Sequence, residues 1–189
     1  MCGGRISHEH YICGTALSRS LFSNKGKDMA ELAQGDVAPD FELPRADGGT
    51  FTLSALRGKP VVLFFYPKDD TSGCTAEAIA FSELKDEFAK AGAVVAGLSP
   101  DSPKSHDKFK AKHGITVDLI SDEGKNVLEA YGVWAEKSMY GRKYMGVVRT
   151  TFLIGPDGKI AAIWPKVRVP GHAQAVLETV REMGRRTIA

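Results

Sequence analysis

Val61-Val62-Leu63-Phe64-Phe65-Tyr66 is a run of six apolar residues that stops at Pro67. No polar side chain interrupts it, so neither face of an extended chain through this stretch can meet water. It reads as a strand buried on both sides, which requires layers of structure above and below a sheet. Ala93-Val94-Val95-Ala96-Gly97-Leu98 is a second run of the same kind. Between the two, Phe81, Leu84 and Phe88 recur three and four residues apart, the core stripe of a helix predicted from near Cys74 to Lys90. Gly92 closes it. The fold class is α/β.

The remaining elements follow from local signals. Ser102-Pro103 supplies an N-cap with proline in the first helical position, and Gly114 ends that helix after His113. Val117 to Ile120 reads as a short strand and Glu123 to Tyr131 as a helix. Val147 to Ile154 and Lys159 to Trp164 are predicted to form a hairpin around Gly155-Pro156-Asp157-Gly158. The last helix, from His172 to Met183, carries Val176, Leu177, Val180 and Met183. Near the other end, Phe41-Glu42-Leu43 and Phe51-Thr52-Leu53 flank Asp47-Gly48-Gly49, an N-terminal β-hairpin. Strands alternating with helices imply parallel crossovers, and the late hairpin adds antiparallel strands. A mixed central sheet flanked by helices results. A thioredoxin-like sandwich suits this order, as do other α/β folds.

With 189 residues, the chain suits one domain. A formal net charge of +2 gives no basic field for nucleic acid, and no apolar run has the length of a membrane span. Three cysteines are too few, and odd in number, for a secreted disulfide scaffold. Residues 1–28 show no sustained period and read as an irregular tail or an over-long start, with the domain covering residues 29–189. The tail lacks the apolar core of a secretory signal. Its Arg5, Arg19, Lys25 and Lys27 outnumber Glu9 and Asp28, a faint organelle-targeting signal in a chain otherwise read as cytoplasmic.

Chemistry concentrates in Phe65-Tyr66-Pro67-Lys68-Asp69-Asp70-Thr71-Ser72-Gly73-Cys74-Thr75. A strand ends, a short loop follows, and a cysteine sits where a helix begins. Unpaired amides and the positive end of the helix dipole favour a thiolate there. Thr71, three residues earlier, offers a hydroxyl near the sulfur. A small cysteine that merely packs at the helix start fits the same pattern.

Pro67-x-x-x-Thr71-x-x-Cys74 resembles the signature of the peroxiredoxins, and the surrounding residues resemble their PrxQ branch, the bacterioferritin comigratory proteins. Gly141-Arg142-Lys143-Tyr144-Met145-Gly146 with Arg149-Thr150-Thr151-Phe152-Leu153-Ile154, and Trp164-Pro165-Lys166-Val167-Arg168-Val169-Pro170-Gly171-His172, are similar to two further segments of that branch. The resemblance spans about residues 33–183. It implies a thioredoxin fold and a cofactor-free thiol peroxidase that reduces hydrogen peroxide and small organic hydroperoxides. Cys74 would be the peroxidatic cysteine, oxidised to a sulfenic acid. Pro67 would shield it, and the Thr71 hydroxyl and the backbone N–H groups of Gly73 and Cys74 would hold the peroxide. Arg149 would stabilise the thiolate and orient the peroxide.

The chain also departs from that pattern. Ile79 stands where most PrxQ-like proteins carry a resolving cysteine, and Ser72 where proline is common. No cysteine follows Cys74, and Cys2 and Cys13 lie in the tail. This implies a one-cysteine mechanism resolved by thioredoxin, glutathione or another thiol, in a monomer or weak dimer. A redox sensor without fast turnover is the alternative. A cysteine hydrolase would require a histidine beside Cys74. His106, His113 and His172 are expected at the surface and Asp69-Asp70 in solvent. The sequence has no Cys-x-x-Cys and no zinc ligand set. At 100° per residue Ile79 lies about 160° from Phe81, opposite the core stripe.

Overall fold

The computed structural model describes residues 32–139 and 141–188. The irregular tail, with Cys2 and Cys13, lies outside them. The hairpin comes first: β1 (Glu42–Pro44) pairs antiparallel with β2 (Thr50–Thr52), with Leu43 opposite Phe51. Its turn is closed by Asp47, whose Oδ1 accepts the Gly49 amide at 3.1 Å, and Gly48 takes φ +80°, a conformation open to glycine.

The central sheet has five strands, ordered β5 (Asp118–Ser121), β4 (Val94–Ser99), β3 (Val61–Phe65), β8 (Thr150–Ile154) and β9 (Ile160–Trp164). β3 runs parallel to β4, which runs parallel to β5. β8 lies antiparallel to both β3 and β9. This is the mixed sheet of a thioredoxin-like sandwich. All five residues of β3 are buried, and its side chains alternate between two cores. Val62, Phe64 and then Tyr66 join Phe81, Phe88, Phe109, Val176, Leu177 and Val180 on one face. Val61, Leu63 and Phe65 join Phe41, Phe51, Leu128, Tyr131 and Phe152 on the other.

The helices are α1 (Ser72–Glu83), α2 (Lys85–Lys90), α3 (Pro103–His113), α4 (Asn126–Ala130) and α5 (His172–Ile188). α3 has the ends its sequence predicts: the Ser102 side chain accepts the Ser105 amide, Pro103 opens the helix, and Gly114 takes φ +66°. Three expectations fail. The single helix from Cys74 to Lys90 is two helices broken at Leu84. Ser82 explains the break: its hydroxyl donates to Ala78 O at 2.7 Å and accepts the Thr116 amide at 3.0 Å, while Thr116 Oγ1 donates to Ser82 O at 3.4 Å. The segment before β5 thus occupies the carbonyl that would have carried the ladder onward. The helix from Glu123 shortens to Asn126–Ala130 because the Asp122 carboxylate accepts the Val127 and Leu128 amides and so marks the start.

The predicted strand from Val147 to Ile154 is also divided. β6 (Trp134–Met139) and β7 (Arg142–Val147) form a separate antiparallel ribbon, which the periodicity did not reveal. Val148 and Arg149 then connect that ribbon to β8. Val148 donates its amide to Val133 O, and Arg149 O accepts the Val167 amide at 2.9 Å. The connection is therefore tied on both sides, and Arg149 enters the site from a fixed backbone. Ile79 is half-buried, whereas Phe81 on α1 and Phe88 on α2 are fully buried.

Candidate active site

Tyr66 makes the last bond along β3, donating its amide to Leu98 O at 3.0 Å, and Pro67 cannot extend the ladder. The chain turns through Asp70, at φ +57°, and reaches Thr71 in an extended conformation as the N-cap of α1. Thr71 does not cap with its side chain. Its hydroxyl donates to Lys68 O at 3.1 Å, leaving only oxygen lone pairs to offer. The first ladder bond runs from the Thr75 amide to Thr71 O at 2.8 Å. The amides of Ser72, Gly73 and Cys74 precede it, so the helix presents its uncompensated donors at the cysteine.

Cys74 is 1% exposed. Arg149 Nη2 donates to its sulfur at 3.2 Å, and the other arm of the guanidinium, Nη1, makes an ion pair with Glu77 Oε2. Glu77 lies three residues after Cys74 on α1, hence on the same helix face, and its side chain is 1% exposed. One planar fork thus grips a sulfur and a carboxylate, a geometry that a lysine ammonium cannot reproduce. Gly73 leaves space for it, since a Cβ there would lie 3.3 Å from Arg149 Nη2.

Electrostatics follow from burial. Desolvation pushes the Glu77 carboxyl up to about 7, against the pull of Arg149. Its Oε1 is buried with no hydrogen-bond partner. Burial also works against the Arg149 charge, but Glu77 and Cys74 outweigh it and hold the guanidinium above its ordinary value.

Of the residues picked out by sequence, Cys74 and Arg149 are in direct contact. Thr71 is exposed, and Pro67 and Gly73 are half-buried, all within the loop and first turn. Glu77 was missed, although a glutamate one turn beyond a helix-start cysteine was there to be noticed. The histidines need correction. His106 is fully buried and His172 nearly so. His172 Nε2 lies 2.8 Å from Thr151 Oγ1, and Phe81 and Trp164 pack edge-to-face against the ring. Desolvation, helped by the Arg149 charge, pushes it down to about 4, so it is neutral. Asp69 is buried too, not in solvent. No histidine among the described residues hydrogen-bonds the Cys74 sulfur, which removes the activating base that a cysteine hydrolase needs.

The AhpC/TSA family pattern matches residues 34–163. The chain is a peroxiredoxin of that family. A Coxiella burnetii putative peroxiredoxin bcp is 49% identical over 143 residues, 76% of this chain and 95% of that one. Peroxiredoxin Bcp of Bacillus subtilis is 44% identical over 149 residues, covering 79% and 95%. The solved structure of Xanthomonas campestris bacterioferritin comigratory protein, studied for alkyl peroxide reduction, superposes with a TM-score of 0.75 at 42% identity, covering 81% of this chain and 98% of that one. This peroxiredoxin is therefore a thiol-dependent peroxidase with a thioredoxin fold.

The Glu77 carboxyl of this peroxiredoxin gives a pH signature. A carboxyl raised from 4.5 to about 7 binds its proton more tightly in the native state than in the unfolded chain. Its contribution to stability is therefore present at low pH and lost as pH climbs from about 4.5 through 7, by roughly 3 kcal/mol. Glu77→Gln removes that slope. Urea unfolding at pH 5 and pH 8 should show the variant gaining on the wild type by this amount across the interval. A constant difference would mean that Glu77 ionises normally.

Proposed function

We propose that Cys74 is the peroxidatic residue of a one-cysteine cycle. The Cys74 thiolate attacks one oxygen of the peroxide and the O–O bond breaks. The second oxygen leaves as water or an alcohol after taking a proton, and the sulfur is left as sulfenic acid. An external thiol then condenses with that acid, releasing water and forming a mixed disulfide. A second thiol reduces the disulfide and regenerates Cys74. The contact of Arg149 Nη2 with the sulfur at 3.2 Å, at the N-terminus of α1, carries this reading. A fixed cation and aimed amides favour the thiolate and meet the charge that moves onto the leaving oxygen. Pro67 screens the sulfur from water, while Thr71 Oγ1 and the Gly73 and Cys74 amides hold the peroxide oxygens.

The substrates are hydrogen peroxide and small organic hydroperoxides, and the reductant is thioredoxin, glutathione or another thiol. The protein acts in the cytoplasm as a monomer or weak dimer. The large apolar side chains exposed among the described residues, Val37, Tyr144 and Met145, are few, which supports weak self-association. No helix among the described residues is long and apolar enough to cross a membrane. Coupled peroxidase assays with thioredoxin and with glutathione test the cycle. A single oxidation without turnover under both would make the protein a redox sensor.

Residues 29–189 are proposed as the working domain. A chain beginning at Met29 should fold and keep full turnover with an external thiol. After one equivalent of peroxide, the full-length protein should gain one oxygen by intact mass. A loss of two hydrogens would instead mean that Cys2 or Cys13 resolves Cys74.

A further inference from the structure

Asp69 and Asp70 are consecutive, yet they grip two different places on α3. Asp69 Oδ1 accepts the Tyr66 hydroxyl at 2.9 Å, and Oδ2 accepts the Ser105 hydroxyl at 2.7 Å. His106 Nδ1 lies 3.1 and 2.9 Å from the two oxygens. The Asp69 amide donates to Asp101 Oδ2 at 2.8 Å, an oxygen that also accepts the Ser99 hydroxyl at 2.9 Å. Asp70 accepts from Lys112 Nζ and His113 Nε2, both at 2.6 Å. Ser105-His106 and Lys112-His113 are two helical turns apart, about 10 Å along the axis. The left-handed φ of +57° at Asp70 lets neighbouring carboxylates diverge this far, and aspartate is among the few side chains that tolerate it.

The inner attachment is the firmer one. His106 is fully buried, and its Nε2 lies 3.2 Å from Ile120 O. A carbonyl and a carboxylate only accept, so both ring nitrogens face acceptors. Tyr66 and Ser105 satisfy the carboxylate further, as a buried charge demands. The outer attachment lies nearer solvent, with Asp70 and Lys112 exposed and His113 half-buried. Neither attachment touches Cys74, and neither has a part in the peroxide chemistry described above.

We propose that Asp69 and Asp70 are positioning residues that staple the loop before Cys74 along α3, with His106 as the buried anchor. This rests on the reading of Cys74 as the sulfur that attacks peroxide. The loop leads directly into Thr71, Ser72, Gly73 and Cys74, so the staple sets where the first turn of α1 stands. Arg149 arrives separately, from the connection between β7 and β8. The two meet at 3.2 Å only if the loop is held at the right height. A shift of about 1 Å in such a contact can cost two orders of magnitude in rate.

The test is the second-order rate of oxidation of the full-length reduced protein, followed by intrinsic fluorescence in a stopped-flow instrument, together with amide hydrogen exchange. Asp69→Asn should slow oxidation by about 10- to 100-fold. Asp70→Asn should slow it about threefold, and Asp70→Glu should restore most of that loss. Hydrogen peroxide and a bulky alkyl hydroperoxide should slow by the same factor, because neither residue touches the substrate. Faster exchange should be confined to the loop, the first turn of α1 and Ser105-His106, with β3 unchanged. Wild-type rates in both asparagine variants would overturn the proposal. So would a rate loss accompanied by faster exchange throughout β3 and β4, which marks general destabilisation. If Asp69→Asn fails to fold, the exposed Asp70 pair carries the test. Peroxide reactivity retained in Cys74→Ser would overturn the underlying reading. An inert Cys74→Ser beside fully reactive loop variants would overturn the staple alone.

Discussion

Cys74→Ser is expected to abolish peroxide turnover, leaving only the uncatalysed background. A serine hydroxyl is not ionised at neutral pH and is a far weaker nucleophile toward an O–O bond than a thiolate. Nor can it accept the oxygen, since the product would itself be a peroxide. The fold should survive, because the two side chains are close in size and a hydroxyl can still accept from Arg149. Mixing the reduced variant with hydrogen peroxide in a stopped-flow instrument checks this. Consumption at the wild-type rate would mean that another atom is attacked.

Arg149→Ala should slow the oxidation step by about 10²- to 10³-fold, the usual cost of losing one preorganised donor to a developing charge. The variant also leaves Glu77 buried without its cation, so part of the effect falls on stability. Arg149→Ala/Glu77→Gln separates the two: it should recover stability without recovering rate. Arg149→Lys should remain slow as well, because a single ammonium cannot hold both the sulfur and Glu77 Oε2. An oxidation rate within a factor of two of wild type in Arg149→Ala would remove the arginine from the chemistry.

The elements that define the sheet could be read because their cause is local. Six apolar residues ending at proline admit few environments, and β3 indeed faces two cores. The caps of α3 were legible for the same reason. Leu84 was not, because the break in the helix comes from Thr116, over thirty residues away, taking hold of Ser82. The β6–β7 ribbon escaped notice because β7 is buried only at its Val147 end and lacks an alternating apolar face. His106 was hidden by the lysines around it. Only its spacing from Phe109, on the same face of α3, marks it as inward. Cys74 stood out by its place at a helix start and took its role, like Arg149, from resemblance, whereas their contact across seventy-five residues belongs to the fold alone. Glu77 reads as an ordinary helix-surface residue until the burial of α1 is known.

The Cys74 sulfur and the Glu77 carboxyl, which share the Arg149 guanidinium, are not equally permanent partners. In the proposed cycle, oxidation replaces a thiolate with a neutral sulfenic acid, while Glu77 keeps its carboxyl. Before the reaction the cation divides its field between them, and afterwards the field falls on Glu77 alone. A carboxyl raised by burial to about 7 would then lose its proton more readily, after the oxygen has left. In that cycle a redox change at sulfur would be answered by an acid–base change one helical turn away.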